Sequence, residues 1–384
     1  MTLRCDVAVV GGGLTGLLAA DRLIRAGVDV VLIDTDRAPA AASTRSLGLV
    51  AMGWIDSPAR LTAGLGEPVA RALHEWSARA VGSLRDVALD LGVTWRSTGS
   101  LRLALDAVDR DAWHASAGLL TRWGLGGAVR ILQDAELRGL APGSGRLGGV
   151  FLQDDAVIDV SGLLTALADR FAAHGGRRLT ATVTVEAGSG APVLVSSDGS
   201  RLTAELVVAA AGVSAATLHP FFSSCVYPVR LQALRTVPGV PGDALRVPVL
   251  ARHRFEAGWS TPDGAVEFVG CRWADQPEMG AGERDDEALS ARVSTEQDSW
   301  LCTHFGIDVG LVQRWSGIAA YTCDGLPLVG PLPGAPRVLA AVGWSGWGLS
   351  LAPRAVDEIC AGILGQPTAD GHVTPRELTA RRLV

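Results

Sequence analysis

Gly11, Gly13 and Gly16 form a GxGxxG pattern directly after a short β-rich apolar run, residues 5–10. Leu17, Leu18, Leu23 and Ile24 then recur at helical spacing up to Gly27. A second β-rich run, residues 28–33, closes at Asp34. In such a strand–turn–helix–strand unit, the first glycine turns the chain tightly. The second lets backbone approach a pyrophosphate, and the third lets helix and strand pack closely. The helix N-terminus offers N–H groups and partial positive charge to phosphate. A carboxylate at Asp34 accepts both ribose hydroxyls and repels a 2′-phosphate. The chemistry predicted is dinucleotide binding, with Gly11, Gly13, Leu14, Thr15, Gly16, Asp34 and Thr35 at the ligand. A glycine-rich packing turn alone does not explain Asp34.

A second glycine-rich turn lies near the other end of the chain. Residues 338–342 read as a buried strand, and Gly343, Gly346 and Gly348 follow. Residues 349–364 read as a helix. Reduced flavin carries negative charge at N1 and C2=O, and a helix N-terminus stabilises such charge by about 0.3–1 kcal/mol. A packing turn is the competing account. Pairing with the first motif favours flavin, and, as a tendency among known families, a motif this early in the chain goes with FAD more than NAD.

The elements that must position these turns fill a chain of 384 residues, enough for about two domains. Residues 57–91, 106–123, 160–174 and 283–304 read as helical. Residues 94–105, 148–153, 178–186, 192–197 and 202–210 read as strands. Residues 227–236, 246–255 and 265–270 read as a second sheet. Ser57 and Ser161 are candidate helix caps.

Composition narrows the chemistry further. Hydrophobic residues make up 48% and charged residues 19%, which is globular. Net charge is −6 and no segment is strongly basic, which argues against a nucleic-acid partner. The chain contains no lysine and no asparagine. Schiff-base lysine, lysine-bound PLP and Walker A chemistry are therefore excluded. Six widely spaced cysteines without CxxC predict reduced, intracellular thiols and no disulfide framework. The seven histidines show no HxH or HExxH pattern, so no metal site is expected. No run reaches the ~20 apolar residues of a membrane span, and a cytoplasmic protein is expected.

Taken together, the residues resemble the D-amino-acid oxidase (DAO-type) family of FAD enzymes, which includes glycine oxidase and sarcosine oxidase. The resemblance covers most of the chain. It rests on Gly11 to Gly16 with Asp34, on residues 42–48, on residues 206–212, on Asp324 to Gly330 and on Gly343 to Gly348. It implies an α/β fold, with a Rossmann-like FAD-binding domain and a second α+β substrate domain built on an antiparallel sheet. The implied FAD segments are residues 1–80, 147–218 and 319–384. The implied substrate segments are residues 81–146 and 219–318. By the same resemblance, Ser43, Thr44, Arg45, Val185 and Gly212 meet the cofactor. So do Gly343, Ser345, Gly346, Trp347, Gly348 and Leu349.

Three departures bear on function. Glycine-oxidase-like members hold the substrate carboxylate with an arginine whose position here is Ala319. Sarcosine-oxidase-like members attach flavin through a cysteine at about the same place, so FAD is expected to be non-covalent. They also activate oxygen with a lysine, which this chain lacks.

The family's shared half-reaction passes hydride from an amine-bearing carbon to flavin N5 and leaves an imine that water hydrolyses. It needs alignment and an unprotonated amine more than a strong base. Arg45, Tyr321 and Trp344 are the candidate catalytic residues. Trp54, Arg254, Trp259, Arg272, Trp273 and Trp347 are the candidate substrate contacts. Eleven tryptophans against two tyrosines suggest an aromatic pocket for an apolar or aromatic amine, or a cation–π hold on an ammonium. Core packing is the competing account for each of them. Arg45, Arg254 and Arg272 are the candidate carboxylate partners.

The expected activity is oxidation of a C–N bond of an amine or amino acid, with a small-molecule substrate and oxygen as acceptor, giving peroxide. Two alternatives stay open. One is a dehydrogenase of a 2-hydroxy acid or amine using a quinone or protein acceptor. The other is a flavin subunit of a hetero-oligomer. Homo-oligomerisation is undecided by sequence.

Overall fold

The computed structural model describes residues 3–35, 42–143, 147–188, 190–239, 245–252, 256–310, 312–368 and 374–383. Strand Leu3–Val10 is central, and Val7, Ala8, Val9 and Val10 are all buried. That continuous burial is what a parallel strand covered on both faces requires. On one side it pairs in parallel with Val30–Asp34, which pairs with Arg177–Thr180. On the other it pairs with Arg201–Ala209, whose second half pairs with Ala335–Val342. Antiparallel Leu328–Leu332 ends that side. The hairpin Val183–Glu186 and Val193–Ser196 joins the first half of Arg201–Ala209. Helices Leu14–Arg25, Val160–Ala173 and Gly348–Ile363 supply apolar cover from Leu17, Leu23, Leu163, Leu167, Leu351 and Ile359. This is the expected Rossmann-type arrangement.

The second sheet runs Val312–Thr322, Val226–Thr236, Val266–Gly270, Glu256–Ser260, Val249–Ala251, Ser100–Leu103, Gly149–Leu152, Val129–Leu132. It is antiparallel except where Val249–Ala251 meets Ser100–Leu103. Helix Ala291–Phe305 covers one face, with Trp300 stacked on Phe268 at 4.8 Å between ring centroids. A small sheet of Leu49–Val50, Ala156–Ile158 and Trp95–Arg96 lies beside the two large ones.

Several expectations are corrected by local chemistry. The single helix over 57–91 is two, Pro58–Leu65 and Glu67–Asp90, because Gly66 takes φ +85°. Ser57 does cap the first. Asp159, not Ser161, caps Val160–Ala173, accepting from Gly162 N at 3.0 Å. The helix expected from 283 begins only after Ser290, whose Oγ accepts from Val293 N. The run 178–186 divides into Arg177–Thr180 and Val183–Glu186. Of the run 246–255, Val249–Ala251 is the described strand. Gly149–Leu152 pairs in the second sheet, although residues 147–218 were assigned to the FAD segments. The limits drawn at 80 and 318 fall inside Glu67–Asp90 and Val312–Thr322. Among the described residues, no helix is long and apolar enough to cross a membrane.

Candidate active site

Parallel α/β sheets bind ligands beyond the C-terminal ends of their strands. Here Leu3–Val10, Val30–Asp34 and Arg201–Ala209 all end at one cavity of about 630 Å³. Its first part is walled by Gly11 to Thr15, Asp34, Thr35, Val183 and Gly212. Its second part is walled by Gly317 to Tyr321 and Trp344 to Ser350, with Ala257, Val269 and Arg272 from the second sheet and its edge.

The first part fits a dinucleotide. Gly11 has φ +113°, and a Cβ there would lie 2.4 Å from the Ala210 carbonyl oxygen. A Cβ on Gly12 would lie 2.3 Å from Asp34 Oδ2, and one on Gly16 only 1.7 Å from the Gly11 carbonyl oxygen. Backbone therefore reaches the cavity with no side chain in the way. Helix Leu14–Arg25 begins there, and Gly13 supplies no capping side chain. Leu14 N donates to Ser43 Oγ at 3.0 Å, which brings residue 43 to the helix start. Asp34 stands at the strand end, 3.8 Å from Arg178 Nη2.

The second part is a strained turn. Gly343, Ser345 and Gly346 take φ +80°, +49° and +85°. A buried serine in the left-handed region persists only where its surroundings hold it, and such strain clusters at functional sites. Ser345 N donates to the Ala320 carbonyl at 3.0 Å, so strand Val312–Thr322 holds the turn. A Cβ on Gly346 would lie 3.4 Å from Tyr321 Oη. Helix Gly348–Ile363 then starts at the cavity wall, again with no side-chain cap. Two helix starts whose own N-cap residues supply no capping side chain face one cavity, which suits a ligand with a pyrophosphate and an anionic ring.

The family model for FAD-dependent oxidoreductases designated DAO matches residues 6–360. The chain belongs to this family. FAD is therefore its cofactor, and the glycine cradle fits it. The chain is 27% identical to a glycine oxidase of Bacillus licheniformis, over 96% of this chain and 95% of that one. It is 27% identical to D-amino acid dehydrogenase 2 of Pseudomonas aeruginosa, over 84% of this chain and 86% of that one. In fold it is similar to glycine oxidase from Geobacillus kaustophilus, at a TM-score of 0.77 and 23% identity with both chains fully covered. It is also similar to L-proline dehydrogenase from P. horikoshii, at 0.79 and 16%, covering 100% of this chain and 98% of that one.

Most of the residues picked out from sequence come together at this cavity. Among the proposed cofactor contacts, Val183 lines the wall where Val185 was expected; the two share one face of Val183–Glu186, and Val185 lies two residues further along the strand. Gly16, Thr44 and Gly343 stand behind the wall. Tyr321, Trp344, Trp347 and Arg272 line it, and the Arg272 guanidinium lies 5.5 Å from the Tyr321 ring centroid.

Three tryptophans do not reach it. Trp54 is buried against Trp76 at 5.8 Å. Trp273 turns away and donates from Nε1 to Glu256 at 2.7 Å. Trp259 lies further along its strand than the cavity-lining Ala257. Core packing explains Trp54 and Trp273, and the aromatic wall narrows to Trp344, Trp347 and Trp315. Trp315 was missed because residues 313–317 show no strand alternation. Arg254 lies outside the described residues.

Arg45 lines the cavity, but its guanidinium donates to the carbonyls of Asp286 and Ser316 and pairs with Asp286 Oδ2 at 3.2 Å. Trp315 Nε1 donates back to the Arg45 carbonyl at 3.1 Å. Arg45 thus ties the cofactor side to the second sheet. The segment before helix Ala291–Phe305 is pinned again by Gln232, which accepts from Ser290 N at 2.8 Å. Between helix-capping Ser290 and the second sheet this segment presents Arg284 to the cavity. Arg284 has no ion pair or hydrogen bond among the described residues. Sequence reading had no signal for it, since it is one arginine in a charged run.

Two buried groups outside the cavity set a pH dependence of stability. Burial pushes the Glu256 carboxyl up to about 7, against the pull of the Trp273 hydrogen bond and the Arg252 charge. Burial also pushes His74 down to about 4. Between the usual carboxyl value and about 7, folded Glu256 keeps a proton that the unfolded chain releases, so stability falls as pH rises through that window. His74 acts oppositely. Below its usual value the unfolded chain takes up a proton that the folded chain refuses, so stability falls as pH drops toward about 4. Glu256→Gln is expected to change little at pH ~5 and to gain on the order of 2–3 kcal/mol at pH ~8, read from urea midpoints at both. An equal effect at both pH values would mean that Glu256 does not hold a proton in the fold.

Proposed function

We propose that this enzyme oxidises the C–N bond of an amine or amino acid whose anionic end meets Arg284 and Arg272. The observation that carries the reading is the arrangement of the second part of the cavity. Arg284, with no ion pair or hydrogen bond among the described residues, the Arg272–Tyr321 pair, and the rings of Trp344 and Trp347 from the strained turn all line this cavity. Bound FAD supplies the two-electron acceptor, held without a covalent link because Ala319 occupies the place of the linking cysteine. Arg284 and Arg272 orient a carboxylate by charge-assisted hydrogen bonds. Trp344 and Trp347 exclude water and place an apolar substrate body. Tyr321 Oη, beside Gly346, holds a polar atom of the substrate. No side chain is asked to act as a strong base, since an unprotonated amine suffices.

Molecular oxygen is the proposed acceptor. A quinone or protein acceptor is the second reading, and the absence of lysine from the chain favours it. Anaerobic addition of amines, D- and L-amino acids, N-methyl amino acids and 2-hydroxy acids tests the substrate class through bleaching of the flavin absorbance. Bleaching by 2-hydroxy acids alone would overturn the proposal. Admitting air then separates the acceptors, since prompt return of colour means oxidase. For a carboxylate-bearing substrate, Arg284→Ala should raise KM about 10- to 100-fold with kcat nearly unchanged, the loss of one charge-assisted contact. An unchanged KM would remove Arg284 from the substrate.

A further inference from the structure

Strands Val226–Thr236 and Val312–Thr322 pair antiparallel, and their ladder ends at Val226 opposite Thr322. Continued by one residue into the flanking turns, the same register would set Cys225 opposite Cys323. Residues directly opposite in an antiparallel pair have Cα atoms about 4.5–5.5 Å apart, inside the range a disulfide spans. The charge of Cys323 is felt at the Cys225 thiol, which sets the two side chains near one another.

The two thiols differ in access. Cys323 is exposed, while Cys225 is buried beside Phe222 and donates from Sγ to the Phe221 carbonyl at 3.3 Å. Burial raises the Cys225 thiol above its usual range, and the charge of facing Cys323 raises it further. Cys5, Cys271 and Cys360 are buried apart, and Cys302 is exposed on helix Ala291–Phe305. One exposed thiol therefore has a buried thiol at its register position.

We propose that Cys323 and Cys225 form a peroxide-responsive thiol pair, with Cys323 oxidised first and Cys225 resolving it to a disulfide. The Cys323 thiolate attacks one peroxide oxygen. An S–O bond forms, the O–O bond breaks, and hydroxide leaves to become water with a solvent proton. The Cys225 thiol then gives up its proton and attacks the Cys323 sulfur. The S–S bond forms, the S–O bond breaks, and the departing hydroxide takes that proton as a second water. Two thiols are oxidised by two electrons in all, and one hydrogen peroxide is reduced to two waters. The link would lock the end of the ladder two residues from Tyr321, whose ring lies 6.2 Å from Tyr227 on the facing strand. This inference does not rest on the substrate proposed above, because peroxide can be supplied. If oxygen is the acceptor, the enzyme makes this oxidant at the adjacent cavity.

Peptide mapping gives a direct test. Cleavage after arginine places Cys225 alone in residues 202–230, Cys323 alone in 315–337 and Cys302 alone in 293–314. The reduced, FAD-loaded full chain is exposed to sub-millimolar hydrogen peroxide, alkylated and mapped without reductant. The expected result is a linked peptide 202–230/315–337 in most chains, two hydrogens lighter than the sum and lost on reduction. Cys302 should not join it. In Cys225→Ser the oxidised state of Cys323 should be trapped by dimedone, and in Cys323→Ser residue 225 should stay reduced. Sulfinic or sulfonic acid at Cys323 with Cys225 still free to alkylate would overturn the proposal. So would equal oxidation of Cys302 with no linked peptide.

Discussion

Gly16→Ala is expected to give protein that purifies without FAD. The new Cβ would sit 1.7 Å from the Gly11 carbonyl oxygen. Both atoms belong to backbone-fixed positions, so no side chain can turn aside. Helix Leu14–Arg25 must lift from strand Leu3–Val10, carrying with it buried Leu17, Leu18 and Leu23 and the N–H groups at its start. Overpacking of this kind costs about 1–3 kcal/mol or more, and the phosphate seat is lost with it. The ratio of flavin to protein absorbance reads the first effect and the urea midpoint the second. Gly82→Ala is the control, since it lies mid-helix with nothing within 4 Å of the added atom. It should stabilise by about 0.5–1 kcal/mol and keep full flavin. A Gly16→Ala variant with parental flavin content would mean that this turn does not seat the cofactor.

Asp155→Ala is expected to be the most destabilising change away from the glycine turns. Arg102 and Asp155 are 3% and 1% exposed, with Nη2 and Oδ2 2.8 Å apart. Asp155 also accepts from Ser100 Oγ at 2.5 Å and from Met52 N at 2.8 Å. Removing one member strands a buried guanidinium, a loss of about 3–5 kcal/mol. Arg102→Met with Asp155→Leu should recover much of that stability, because a buried ion pair is often no better than an apolar one. The double variant should still bind FAD less tightly. Met52 lies between Leu49 and Ile55, both on the cavity wall, and its anchor would be gone. Thermal midpoints and flavin retention on dilution separate the two effects. Full rescue of both would show that Asp155 acts through charge alone.

The cofactor half of the site was legible because its physics is local. A tight turn, a close backbone approach and a helix start each demand glycine or an uncapped end within a few residues, so Gly11, Gly16 and Gly346 stand out in the chain. The substrate half was not, because it is set by which strands neighbour each other. Trp54, Trp259 and Trp273 look no different in sequence from Trp315, Trp344 and Trp347. Only the place of Trp259 further along Glu256–Ser260 than Ala257, the packing of Trp54 on Trp76 and the hydrogen bond from Trp273 to Glu256 sort them. Arg284 reaches the cavity because its segment is pinned before it, by Gly282 N to the Pro228 carbonyl, and after it, by Arg45 at Asp286 and Gln232 at Ser290, all distant in sequence. Helix limits failed where one residue decided them, as at Gly66 and Asp159.

The cavity joins strand ends near residues 10, 34 and 209 to the turn at 343–348. In a chain made from its N-terminus at about 5–20 residues per second, the glycine turn emerges tens of seconds before the wall that faces it. For the first part of that interval Val7 and Val9 lack Arg201–Ala209 beside them, and throughout it they lack Gly348–Ile363 above them. Flavin capture is therefore a late event, open only once nearly the whole chain has left the ribosome. A nascent chain stalled before residue 335 should carry no cofactor, however complete its dinucleotide motif.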